Sequence, residues 1–194
     1  MADHLSEQYM IRAKVFDLVP QFYIYDHSGT LVGYCRQKLF KFKEEVVIYT
    51  DRSRETELMR IKARQIIDFA ATYDVILPNG ASIGSLRRKG LKSTFVRDEY
   101  LVFDDAGAEI ASLREDSVFR AQLRRFIDLA ATLMPQEFLL NTSDGREIAR
   151  FRQHFNPFIF KLSIAVIDDH EHLDDLMLIA IGVLAAVIEG RQRS

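Results

Sequence analysis

Apolar and polar positions alternate with a period of two along much of the chain. Phe40 and Phe42 alternate with Lys41 and Lys43, and Ile61 and Ala63 with Arg60, Lys62 and Arg64. Phe160, Leu162, Ile164 and Val166 alternate with Lys161, Ser163, Ala165 and a less polar Ile167. That period belongs to strands with one wet face. Four stretches also share one spelling, starting from Phe22, Tyr73, Tyr100 and Phe138. Each has an aliphatic residue two positions on, then a turn glycine (Gly29, Gly80, Gly107, Gly145). Next come Val or Ile, a small residue (Gly33, Gly84, Ala111, Ala149) and an arginine (Arg36, Arg87, Arg114, Arg152). Recurrence at fixed offsets marks an internal repeat. The polar stretches "DHSG", "LPNG", "DDAG" and "TSDG" end where a positive φ is needed, so the repeated unit reads as a β-hairpin.

Two segments depart from this period. Residues 117–134 carry Phe119, Leu123, Phe126, Ile127, Ala130, Leu133 and Met134 on one face and stop at Pro135, which predicts an amphipathic helix. Leu176 to Ile188 is thirteen residues without a polar side chain. A bilayer needs about twenty, so the expectation is a helix from about 174 to 189 buried in protein, with no transmembrane segment. The strand segments amount to roughly ten to twelve strands at the usual strand length. A closed barrel of that size has an interior too wide for its own side chains, and a helix about 10 Å across fits it. The small residue of each repeat then faces inward beside the helix, with Cys35, Leu86, Leu113 and Phe151 on the same face and the arginines outside. The expected fold is a mainly β, closed antiparallel barrel of about twelve strands around a hydrophobic helix, as a single domain over 1–194.

Composition narrows the function. A formal net charge of −2 offers no general attraction to nucleic acid. The single cysteine, Cys35, can form no internal disulfide, which makes the cytoplasm the default compartment, with peripheral membrane attachment open. The opening "MADHLSEQYMIRAKVF" lacks the basic and apolar layout of a signal peptide and reads as a short lead-in, residues 1–8 loosely ordered.

The segments "YDHSGTLVGYCRQKLFKFKEEVVIYTD", "RIKARQIIDFAATYDV", "IGSLRRKG" and "VFDDAGAEIASLRED", with the apolar final helix, carry a family resemblance. The chain resembles bacterial members of the tubby-like C-terminal domain superfamily, in the branch of LURP-one-related proteins and phospholipid scramblases. The resemblance implies a closed twelve-stranded barrel around a hydrophobic helix. It carries function poorly, because the superfamily spans phosphoinositide binding in tubby proteins, calcium-linked lipid movement in scramblases and a largely open role in the LURP-one-related branch. Where scramblases place a calcium segment, "IDDHEHLDD" here lacks the alternation of oxygen ligands and suits a helix N-terminus instead.

No hydrolase elbow, phosphate loop or paired-histidine motif is present, and no cofactor is expected. His27 and His154 read as surface histidines and Cys35 as an inward-facing small hydrophobe, so an enzyme is the less favoured class. The dense cations Arg87, Arg88, Lys89 and Lys92 are the functional lead, with Arg36, Lys38, Lys41 and Lys43 a looser group. Their plain reading is a solvated rim; their functional reading is a site for anionic headgroups. The expectation is a non-enzymatic binding module, with peripheral binding of anionic phospholipid or phosphoinositide headgroups through those four residues. The alternative is a structural or protein-interaction barrel with no small-molecule ligand.

Overall fold

The computed structural model describes residues 7–14, 19–36, 45–64, 71–89, 99–116, 136–154, 156, 158–168 and 173–192, with side chains to residue 186. Among them are twelve strands: β1 (Glu7–Lys14), β2 (Gln21–Asp26), β3 (Leu31–Arg36), β4 (Glu45–Tyr49), β5 (Glu57–Ala63), β6 (Thr72–Ile76), β7 (Ser82–Arg88), β8 (Glu99–Phe103), β9 (Glu109–Glu115), β10 (Glu137–Thr142), β11 (Glu147–His154) and β12 (Ile159–Val166). They close into an antiparallel barrel in which each strand pairs with its sequence neighbours and β1 pairs with β12. Helix α1 (Asp175–Gln192) follows. The amphipathic helix expected over 117–134 lies outside the described residues.

The four repeats are four hairpins with one turn chemistry. In each, the glycine N–H donates to the carbonyl three residues back: Gly29 to Asp26, Gly80 to Leu77, Gly107 to Asp104 and Gly145 to Thr142. All four glycines have φ between 83° and 88°, a region open to glycine at little cost. The Val or Ile of the repeat proves to be a bulge. Val32, Ile83, Ile110 and Ile148 are each skipped by the pairing register, so Gly33, Gly84, Ala111 and Ala149 fall opposite Ile24, Val75, Val102 and Leu140. A bulge raises local twist and bends its strand. It also turns two consecutive side chains toward the interior end of the hairpin, where Ile110 and Ile148 are buried.

A fifth hairpin, β4–β5, uses the same device with different letters. Leu58 is its bulge and Met59 falls opposite Ile48. Its longer turn is bounded by the Thr50–Thr56 backbone bond, and Arg54 takes a φ of 60°. The segment read as a lead-in holds β1, which bridges β12 and β2 and completes the barrel. Tyr9, Ile11 and Ala13 alternate there with Met10, Arg12 and Lys14, and Ile11 and Ala13 are buried.

Helix α1 fills the lumen. Met177, Leu178, Ile179, Ile181, Val183 and Leu184 are at most 3 % exposed, although they point in all directions around the helix. Only enclosure on every side allows that. Close approach is made at glycines on both partners: a Cβ on Gly84 would lie 2.5 Å from the Met177 Cε, and one on Gly182 would lie 2.8 Å from the Ile11 Cδ1. At Gly33 the crowding comes from Ile24 of the wall rather than from the helix. Cys35, Leu86, Leu113 and Phe151 line the lumen, while Arg36, Arg87, Arg114 and Arg152 lie outside. Asp174 caps the helix, its Oδ1 accepting from the Leu176 N–H at 2.7 Å and its carbonyl from the Met177 N–H at 2.9 Å. No helix of the described residues is long and apolar enough to cross a membrane.

Candidate functional site

An up-and-down barrel sorts its connections. The five hairpin turns and the start of α1 fall at one end, and the strand ends that lead into the remaining connections lie at the opposite end. The turn end is acidic. It holds Asp26, Asp51, Asp104, Asp105, Asp144, Asp168, Asp174 and Asp175 against Arg52, Arg54 and Arg146. Turn chemistry explains Asp26, Asp51, Asp104 and Asp144, because short carboxylates accept from nearby backbone N–H groups. Asp26 accepts from Ser28 and Thr30, Asp51 from Ser53, and Asp104 from Ala108. Hydrogen bonds from Ser28, Ser53 and Thr142 hold the carboxyls of Asp26, Asp51 and Asp144 below their usual range. Part of the acidity at this end is therefore a by-product of turn formation, and the charge of those turn carboxylates persists into mildly acidic solution.

The opposite end holds more cations than carboxylates: Lys14, Arg36, Lys62, Arg64, Arg87, Arg88, Lys89, Arg114, Arg152 and Lys161 lie near strand ends there, with Glu45, Asp74, Glu99, Glu115, Asp116 and Glu137 among them. Some of these are neutralised in place. Arg64 pairs with Asp74 at 2.6 Å, and Arg60, nearer the middle of β5, pairs with Glu45 and Glu57. Among the described residues, Arg12, Lys14, Arg36, Arg152 and Lys161 have no carboxylate partner.

The four residues singled out from the sequence are not equivalent. Arg87 is exposed, its guanidinium carbon 4.3 Å from the centre of the Phe103 ring, so it keeps its charge outward on an aromatic base. Arg88 is half-buried and already engaged. Lys89 is exposed but sits 3.1 Å from Glu99, which also holds Arg114 at 2.8 Å. Burial acts to raise the Glu99 carboxyl, but hydrogen bonds from Lys89 and Arg114 outweigh it and the group titrates below its usual range. Lys92 lies outside the described residues, as do Lys38, Lys41 and Lys43. Sequence could not foresee the Glu99 pairing, since the three charges come from three neighbouring strands.

Three other candidates resolve plainly. Cys35 is fully buried, and burial pushes its thiol up to about 12. It is expected to resist aqueous thiol reagents in the native protein and to label at the rate of unfolding; rapid native labelling would mean that the lumen opens. His154 gains neighbours that the sequence did not reveal: its Nε2 is 2.8 Å from the Ser163 Oγ and 3.4 Å from the Glu7 Oε1. Both contacts use one ring nitrogen. A catalytic relay needs the hydroxyl and the carboxylate on different nitrogens, and Ser163 is itself buried. His27 is exposed in the first turn.

In the acidic segment before α1, Asp168 pairs with Arg146 at 2.8 Å, Asp174 is the helix cap, and Asp175 accepts from the Tyr9 hydroxyl at 2.8 Å. Residues 169–172, with His170 and His172, lie outside the described residues. Among the described residues, no three of His, Cys, Asp or Glu gather as a metal would require.

Compared with known proteins, the chain matches the family model described as LURP-one-related over residues 31–185. No curated protein matches it.

Proposed function

We propose, from the premise that this chain belongs to the LURP-one-related family and with it to the tubby-like superfamily, that it is a non-enzymatic module binding anionic phospholipid headgroups peripherally, from the cytoplasm. The observation that carries the reading is the segregation of charge along the barrel axis. With the lumen occupied by α1, a ligand is left the outer surface, and the basic end is the part of that surface suited to phosphate. Arg87 and Lys89 would offer exposed positive groups there, with Arg88 and Lys92 beside them in sequence. The acidic turn end would be repelled by the same bilayer, so attraction and repulsion favour one orientation.

Co-sedimentation with vesicles tests this. Binding is expected with phosphatidylserine or phosphoinositide vesicles, absent with neutral ones, and weaker as salt shortens the Debye length to about 8 Å. Each basic residue near an anionic surface contributes on the order of 1 kcal/mol. Replacing Arg87, Arg88, Lys89 and Lys92 together by Glu should therefore weaken binding by at least about 100-fold. Glu99→Gln, which frees Lys89 and Arg114, should strengthen it. A milder variant, Arg87→Gln with Lys89→Gln, changes only exposed side chains and should melt within a few degrees of the parent, since exposed charges contribute little to stability. Wild-type protein that stays in the supernatant with every anionic vesicle would overturn the reading in favour of a protein-interaction barrel. Undiminished binding by the charge-reversed variant would move the site elsewhere on the barrel.

A further inference from the structure

The connection between β11 and β12 presents an apolar tip. Phe158 is 69 % exposed and Ile159 36 % exposed, which among the described residues makes Phe158 the most exposed large hydrophobe. Their backbone is fixed rather than loose, because the Asn156 Oδ1 accepts from both the Phe158 and the Ile159 N–H at 2.9 Å. The tip sits at the basic end. Register sets Lys14 directly across from Ile159 and Arg12 across from Lys161. Arg152 lies one strand further, across from Ser163. Arg12, Lys14 and Arg152 are exposed and Lys161 half-buried. None of these cations has a carboxylate partner among the described residues. Glu137, opposite Arg152, gives its carboxylate to Arg150, and Glu7 lies beside His154.

We propose that this edge is an interfacial anchor for an anionic bilayer. Phe158 and Ile159 enter the boundary between headgroups and acyl chains, while Lys14, Arg12, Lys161 and Arg152 meet lipid phosphates around them. Exposed aromatic surface ringed by unpaired positive charge has two complements in one place: an apolar layer and an anionic layer above it. A second copy of the chain fits poorly, because a two-fold contact through this edge would bring the same cations against each other. The anchor rests on the headgroup reading above but uses different residues: β1, β11 and β12 stand well around the barrel from β7.

The sequence has no tryptophan, so Phe158→Trp installs a single reporter at the tip. Its emission is expected to shift to the blue on adding vesicles of mixed phosphatidylserine and phosphatidylcholine. It should be quenched by lipids brominated along the acyl chain and unchanged with phosphatidylcholine alone. Phe158→Ser with Ile159→Ser should bind the mixed vesicles roughly tenfold more weakly, the lower bound for losing one buried large side chain. The melting temperature should hold, because the tip packs on little. A Phe158→Trp protein that co-sediments with unshifted, unquenched emission overturns the anchor and leaves the headgroup reading standing. Full-strength binding by the double serine variant does the same. Failure of the wild-type chain to sediment with any anionic vesicle removes both.

Discussion

Removal of the chain from Asp174 onward is expected to abolish cooperative unfolding and leave an aggregating or molten species. The six large side chains Met177, Leu178, Ile179, Ile181, Val183 and Leu184 are almost fully enclosed. Burying each stabilises by about 1.5–3 kcal/mol, so the helix side alone contributes roughly 9–18 kcal/mol before the wall is counted. Typical domains have a net stability of about 5–15 kcal/mol. The wall loses as much again, since Ile11, Ile24, Ile48, Met59, Leu140, Phe151 and Ile164 face the helix from fully buried positions. Circular dichroism should retain strand signal without a sharp thermal transition, and a hydrophobic dye should bind at low temperature. A truncated chain that stays monomeric and melts in one steep step would show that the strands close on their own.

The second large effect is expected at one glycine. Gly84→Ala should cost about 3–5 kcal/mol, from a strained backbone and overpacking together, and lower the melting temperature by roughly 10 °C for a chain of this size. Gly84 has a φ of 144°, and a Cβ there would lie 2.4 Å from the Phe103 carbonyl oxygen and 2.5 Å from the Met177 Cε. A methionine end can swing aside. A carbonyl inside the β7–β8 pairing cannot, because Ser85 is held opposite Phe103 in register. Gly80→Ala is the control: its φ is also positive, at 86°, but a Cβ there meets nothing within 4 Å. It should cost only about 1–2 kcal/mol, the backbone term alone. Equal losses at the two positions would mean that conformation, rather than contact with the helix and with β8, makes Gly84 necessary.

Reading from sequence succeeded where one chemical solution was reused. Four hairpins share a turn glycine, so their spelling repeats, and the Val or Ile at its fixed place in the repeat is the bulge. The β4–β5 hairpin escaped the repeat because Arg54 occupies the left-handed position and the turn is longer. The strand β1 was obscured by Met10, an apolar residue on the outer face that breaks the alternation. The basic surface was half legible. Arg87 and Lys89 stand out as a run, but only the pairing of β7, β8 and β9 reveals that Glu99 claims Lys89 and Arg114. The opposite holds for Arg12, Lys14, Arg152 and Lys161. They are scattered in sequence and become neighbours because closure places β1 against β12. Phe158 gave no signal, since "NPFIF" reads as the start of a buried strand.

The closing contact of the barrel joins the earliest described strand to the latest, and the helix that fills the lumen comes after both. A ribosome adding about 5–20 residues per second needs roughly ten to forty seconds between Glu7 and Gln192. Until β12 is made β1 has one of its two neighbours at most, and until the helix is made every inward-facing side chain of the wall is without the helix it packs on. Pairing across such a sequence distance is slow even in a finished chain. An unfinished chain therefore leaves apolar surface and an unpaired strand edge exposed, the features that make a folding intermediate prone to aggregate.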